Sequence, residues 1–145
     1  MPMFRPKRRK KDPNAPSHLS THTIRKIRRS VLESILAGGA STFPNELGAI
    51  LRSEEAETVT DLLLIPGTTA GRRHANFQLY MLPVDLTVVG TVHSHPSGAL
   101  HPSDADLTLF RHWGRIHIIV GRPFGEYNWR AYSNLGVEVT LTVVD

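Results

Sequence analysis

The apolar positions Ile24, Ile27, Val31 and Ile35 recur at the spacing of one helix face, which predicts an amphipathic helix opening the ordered chain. Thr23 or a neighbouring Ser/Thr caps it, Arg25, Lys26, Arg28 and Arg29 form its solvated side, and Gly38-Gly39 ends it. Runs rich in β-branched residues then predict strands at Leu47–Arg52, Thr58–Ile65, Asn76–Met81 and Leu86–His93, with breaks at Pro66-Gly67 and Pro83. A second helix is expected over Asp104–Trp113, and three further strands over Ile116–Val120, Tyr127–Tyr132 and Val137–Val143. Strand runs interrupted by two helices predict an α+β fold: a mixed, largely antiparallel β-sheet flanked by helices.

Charge divides this pattern in two. Six of the 17 basic residues lie between Arg5 and Lys11, and without residues 1–12 the net charge changes from +4 to about −1. Residues 1–17, with four prolines, cannot build a core and read as a disordered basic tail, leaving 18–145 as one domain. Such a tail suits contact with nucleic acid or an acidic partner. No apolar run approaches the roughly 20 residues of a membrane helix, and no secretory h-region is present, so a cytoplasmic, membrane-free protein is expected. With no cysteine, disulfides and thiolate zinc sites are excluded.

The densest chemistry follows the strand Leu86–Val92. His93 and His95 share one face of it, roughly 6–7 Å apart along the backbone, and Ser94 must point the other way. Ser103-Asp104-Ala105-Asp106 has the form of a capping box that opens the second helix. The loop Ser97–Pro102, stiffened at both ends by Pro96 and Pro102, is long enough to fold that helix start back over the strand end. Two imidazoles and one carboxylate then suit a catalytic zinc, which takes His nitrogen and Asp oxygen at roughly 2.0–2.2 Å and keeps a fourth position for water.

The segment HSHPSGALHPSDAD resembles the signature of the JAMM metalloproteases, also called the JAB or MPN domain: His-x-His-Pro, six residues, Ser, two residues, Asp. The resemblance spans roughly Thr23 to Val144 and is strongest to short archaeal members. It implies a JAB/MPN, cytidine-deaminase-like fold with Zn2+ on His93, His95 and Asp106. It also implies a zinc-dependent isopeptidase that removes ubiquitin or ubiquitin-like proteins from lysine side chains. The family places a catalytic Glu after the first helix, the place of Glu46 here; Gly48 follows two residues later, where many members have a glycine three residues on. Glu33 falls on an exposed helix side, and Glu54, Glu55 and Glu57 cluster in a turn. By this resemblance Glu46 acts as general base and then acid, and Ser103 donates a hydrogen bond to the oxyanion. Because ligand histidines must be neutral, activity is expected to fall below about pH 6.

The expected partner is a ubiquitin-like protein or its conjugates, whose extended tail would add to a strand edge at Thr58–Ile65 or Asn76–Met81. Asp106 to Tyr127 leaves little room for the second insertion that larger members use to grip polyubiquitin. Two alternatives stand beside this reading: a hydrolase trimming C-terminal adducts from a small sulfur carrier, and a non-catalytic scaffold domain. Thr91 and Ser94 are candidates for hydrogen bonds to the ligands. His101 reads as a solvated loop residue, His74, His112 and His117 have no partner spacing, His18 and His22 precede the first helix, and Phe110 and Trp113 read as the second helix's core face. Oligomeric state is not legible.

Overall fold

The computed structural model describes residues 23–64 and 87–145. The basic tail with its boundary at residue 17, the predicted strand Asn76–Met81, the breaks at Pro66-Gly67 and Pro83, and His18, His22 and His74 lie outside the described residues, as do Ile65 and Leu86. In chain order the elements are β1 (Lys26–Arg28), α1 (Arg29–Thr42), β2 (Gly48–Arg52), β3 (Thr58–Val59), β4 (Asp61–Leu64), β5 (Val88–His95), α2 (Asp104–His112), β6 (Ile116–Gly121), β7 (Trp129–Ser133), β8 (Glu138–Val139) and β9 (Thr142–Val144).

Among the described residues six strands form the main sheet, in the order β4-β2-β5-β6-β7-β8. Its neighbours are antiparallel except for β5 and β6, which run parallel. A parallel pair needs a crossover, and α2 supplies it. At the pair's lower end Gly90 abuts Ile116, where an added Cβ would lie 1.5 Å from the Ile116 carbonyl oxygen, so only glycine permits this approach. A second sheet, with the described strands in the order β3-β1-β9, pairs them in parallel. The expected α+β class, with a mixed and largely antiparallel sheet, is the one observed.

Four expectations about the elements are corrected. The first helix begins at Arg29, because Ile27 belongs to β1 and pairs with Val59 and Val143. The spacing of Ile24 and Ile27 satisfied a helical period by coincidence; pairing on both sides of β1 overrides it. No side chain caps α1, so Thr23 has no capping role. Gly38-Gly39 does not end the helix either. An added Cβ at Gly39 would lie 2.7 Å from the Phe124 ring, so the glycine serves close packing. The helix ends at Thr42, whose hydroxyl donates to the Gly38 carbonyl (3.0 Å) two residues before Pro44 blocks continuation. Finally, the predicted strands Thr58–Ile65 and Val137–Val143 each divide, because the chain passes from one sheet to the other: β3 joins the small sheet and β4 the large, β8 the large and β9 the small.

The main core lies between α1 and one face of the large sheet. Val31, Leu32, Ile35 and Leu36 pack toward Ala49, Leu51, Val92, Ile118 and Val120. Each such side chain, fully buried, contributes roughly 1.5–3 kcal/mol. The opposite face carries a smaller cluster in which Phe110 of α2 meets Ile119 and Tyr132. The sheet therefore holds α1 on one side and α2 on the other, and the chemistry sits on the α2 side. Among the described residues no helix is long and apolar enough to cross a membrane.

Candidate metal centre

Alternation along β5 sorts its side chains between the two faces. Thr91 and His93 lie in register with His117 and Ile119 of β6, on the α2 side, while Ser94 pairs with Val120 on the core side. β5 extends two residues beyond its predicted end, so His95 also belongs to the strand. The N-terminus of α2 closes over this end. Ser103 is its N-cap, with its hydroxyl accepting from the Asp106 N–H (3.1 Å) and the Asp106 carboxylate accepting from the Ser103 N–H (2.8 Å). This reciprocal box holds Asp106 in the first turn, and the carboxylate reaches both rings: Oδ1 lies 3.0 Å from His93 Nε2 and Oδ2 lies 3.1 Å from His95 Nε2. The two ring nitrogens are 3.0 Å apart.

The donor set fits a divalent cation. His93 and Asp106 are buried and His95 half-buried, and the three ligand atoms lie within 4.8 Å of one another. Two Nε2 atoms facing each other at that separation cannot both carry protons without repulsion, whereas two lone pairs and a carboxylate oxygen aimed at one point suit a cation. Two nitrogens and one oxygen, without sulfur, match the chemistry of a catalytic zinc site. His95 Nδ1 lies 2.8 Å from the Ala99 carbonyl; donation there places its proton on Nδ1 and leaves Nε2 as the free ligand nitrogen. Among the described residues His93 has no such anchor, for its buried Nδ1 finds no hydrogen-bond partner there. Its ring instead rests near Phe110, 6.4 Å away between centroids, and Phe110 stacks on His117 at 4.3 Å.

Electrostatics follow this geometry. Burial acts to raise the Asp106 pKa, but the His93 and His95 rings beside it, which donate to the carboxylate whenever their Nε2 atoms carry protons, outweigh it and hold the carboxyl well below its ordinary range. Burial acts to lower His95, yet the Asp106 hydrogen bond, the Ala99 carbonyl and the charges of Asp106 and Glu46 together raise it. Burial pushes His117 down to about 3, so that ring is neutral. Its Nδ1 meets the Thr91 hydroxyl at 2.7 Å.

Glu46 reaches the site through register. Gly48 pairs with His93 and Ala49 with Val92, so continuing the antiparallel ladder back along the chain sets Glu46 beside His95. The charge that Glu46 exerts on His95 agrees with that placement. Ser103 is exposed, and because its hydroxyl accepts within the cap, its own proton remains for another partner. The five expected site residues are thus brought to one end of β5. The rivals are not: Glu33 is exposed on α1, and Glu54, Glu55 and Glu57 are exposed residues paired with Arg52, Arg28 and Arg25.

Two expected ligand contacts are corrected. Thr91 bonds His117, and Ser94 bonds the backbone of Leu47; neither touches a ligand imidazole. Two contributors had no signal in the chain. The Ala99 carbonyl is a main-chain group, and Tyr132 is 32 residues from the Leu100 carbonyl to which its hydroxyl donates at 2.6 Å, tethering the motif loop. His101 is exposed, as expected, and with Gly98–Leu100, Arg130, Tyr132 and Glu138 it lines a cleft of about 330 Å³ beside the ligands rather than at them.

Residues 28–134 match the family of prokaryotic homologs of the JAB domain. A probable metalloprotease of Haloferax volcanii is 41% identical over 128 residues, covering 82% of this chain and 79% of that one. Two solved structures are similar in fold and sequence. One, of the JAMM motif described as a metalloprotease-like zinc site in the proteasome and signalosome, has a TM-score of 0.67 and 36% identity, covering 85% of this chain and all of that one. The other, a JAB1/MPN domain protein from Archaeoglobus fulgidus, has a TM-score of 0.69 and 38% identity, covering 83% and 99%. A solution structure from Desulfitobacterium hafniense, 17% identical with a TM-score of 0.60, shares the fold alone. The chain belongs to the JAB-domain family, and within it to the JAMM metalloproteases.

Proposed function

We propose that this protein is a zinc-dependent isopeptidase that releases ubiquitin-like proteins from lysine side chains. The observation that carries the reading is the convergence of His93 Nε2, His95 Nε2 and the Asp106 carboxylate at the end of β5. When bound there, zinc supplies a Lewis acid that lowers the pKa of water from about 15.7 toward 7.

The chain's own residues supply the proton traffic and the orientation. Glu46, beside His95, takes the proton from the attacking water and later delivers it to the departing lysine amine. Ser103 directs its remaining hydroxyl proton at the oxygen that gains charge as the amide carbon becomes tetrahedral. The ordered carboxylate of Asp106 and the Ala99 anchor on His95 keep the ligand atoms in place, so little reorganisation accompanies the reaction.

The substrate class is supported by a sheet edge among the described residues. Among the described residues β4 is an outer strand of the large sheet and runs antiparallel to β2, with Leu64 opposite Ala49 near the end that carries Glu46. An extended C-terminal tail added along β4 would present its terminal amide toward the metal centre. Retention of all three ligands argues against a scaffold role.

Purified, zinc-loaded protein should cleave lysine-linked ubiquitin-like conjugates, and chelation should abolish the cleavage. A panel that also contains C-terminally extended carriers separates the two hydrolase readings: turnover confined to the extended carriers would replace isopeptidase with adduct trimming. A metal-free protein, inert with added zinc on every substrate, would overturn both.

A further inference from the structure

The residue between the two ligand histidines makes a contact that the mechanism above does not use. Ser94 is fully buried, and its Oγ accepts a hydrogen bond from the Leu47 N–H at 2.7 Å, while the Ser94 N–H donates to the Leu47 carbonyl at 3.0 Å. In a regular antiparallel rung two facing residues exchange main-chain hydrogen bonds in both directions. Here one half of the rung is ordinary, and in the other half a side-chain hydroxyl replaces the carbonyl. This hybrid rung falls where β2 has not yet begun, one residue after Glu46.

The segment bearing Glu46 is held differently at its two ends. Toward α1 the turn is closed by Phe43 N–H to Gly39 carbonyl (3.1 Å) and Asn45 N–H to Thr42 carbonyl (2.8 Å). Phe43 also packs edge-on to Phe124 at 6.3 Å, with the Arg122 guanidinium 5.3 Å over its ring. Toward β2, the adjoining residue is fastened to the ligand strand by both halves of the Ser94 rung. Since His93 and His95 flank Ser94, this rung ties the base-bearing chain to the strand that supplies two metal ligands.

We infer that Ser94 is a positioning residue for Glu46: its hydroxyl sets the distance between the Glu46 carboxylate and the metal centre. This rests on the reading of Glu46 as the base. A hydroxyl acceptor is required; an apolar residue leaves the Leu47 N–H buried and unpaired, and the Glu46 backbone free to shift.

Ser94→Ala and Ser94→Thr test this against Glu46→Gln in the zinc-loaded protein. Ser94→Ala should lower kcat by about ten- to a hundredfold with KM unmoved, as a small displacement of a reacting group does, and zinc affinity by chelator competition should not change. Hydrogen exchange at the Leu47 amide, followed by NMR, should quicken by about tenfold on losing a bond of about 1.4 kcal/mol. Ser94→Thr, which keeps the hydroxyl, should restore both. Adding Ser94→Ala to Glu46→Gln should cost nothing further, because the two act through one group.

A Ser94→Ala enzyme with wild-type kcat, or one whose losses are additive with Glu46→Gln, would overturn the inference. So would a loss of zinc affinity in step with activity, or failure of threonine to rescue. If the alanine variant does not fold, Ser94→Cys, a weaker acceptor of the same shape, replaces it in the same comparison. A Glu46→Gln enzyme at wild-type rate would instead remove the base assignment itself, a result distinct from a neutral Ser94→Ala.

Discussion

The two sides of the metal centre are built by different means. On the ligand side, polar groups hold one another: Asp106 touches both imidazoles and its own N-cap, and His95 is turned by the Ala99 carbonyl. On the other side, the segment that carries Glu46 is held by its backbone, through the α1 turn and the rung to Ser94. The ligand side repeats this contrast on a smaller scale, for His95 has a hydrogen-bonded Nδ1 while His93 is held by packing near Phe110. Metal affinity should therefore answer to side-chain chemistry, and turnover additionally to the path of the chain.

The largest effect that tests this division is loss of a ligand. Asp106→Ala or His93→Ala should abolish both zinc binding and cleavage, measured by elemental analysis and by turnover. Chelation should lower the melting temperature of the wild type, since zinc at a hundred times its Kd stabilises by about 2.7 kcal/mol, and leave these variants unmoved. Glu46→Gln comes next: zinc retained, kcat reduced by about 10²–10⁴. Lost zinc in that variant would mean the two sides are not separate.

Ser103→Ala should cost about a hundredfold in kcat with zinc retained, and about 1 kcal/mol of stability through the lost cap. Ser103→Asp restores a cap acceptor without a hydroxyl, so it should recover melting temperature but not rate; recovery of both would remove the oxyanion role. The smallest effect concerns His117, whose folded pKa of about 3 lies far below the ordinary 6.5. Unfolding then takes up a proton, so stability present at neutral pH is lost progressively as pH falls from about 6.5 to 3. His117→Gln should flatten that part of the profile in denaturant titrations; an unchanged slope would show that the ring is not held neutral.

Much of the site was legible because its residues lie close together in the chain. His93 and His95 alternate on one strand, and Ser103 and Asp106 form a capping box whose spacing is a local property of helix starts. Glu46 was located by the family resemblance, which places a glutamate between the first helix and the apolar run Leu47–Leu51. The first helix was misplaced for the opposite reason. Ile27 satisfies a helical period locally, but its burial is decided by Val59 and Val143, residues 32 and 116 positions further along. Gly38-Gly39 likewise read as a stop, because the Phe124 ring that packs against Gly39 comes from a distant loop.

By itself the chain determined the α+β class and the strand face and helix start on which His93, His95 and Asp106 lie, since periods of two and 3.6 residues and a three-residue cap are set by backbone geometry. Tertiary structure alone decided where strands change sheets, that Thr91 serves His117 and Ser94 serves Leu47, and which carbonyl orients His95. A hydroxyl or a main-chain carbonyl bonds whatever partner folding brings within 3 Å, and no local pattern records that partner.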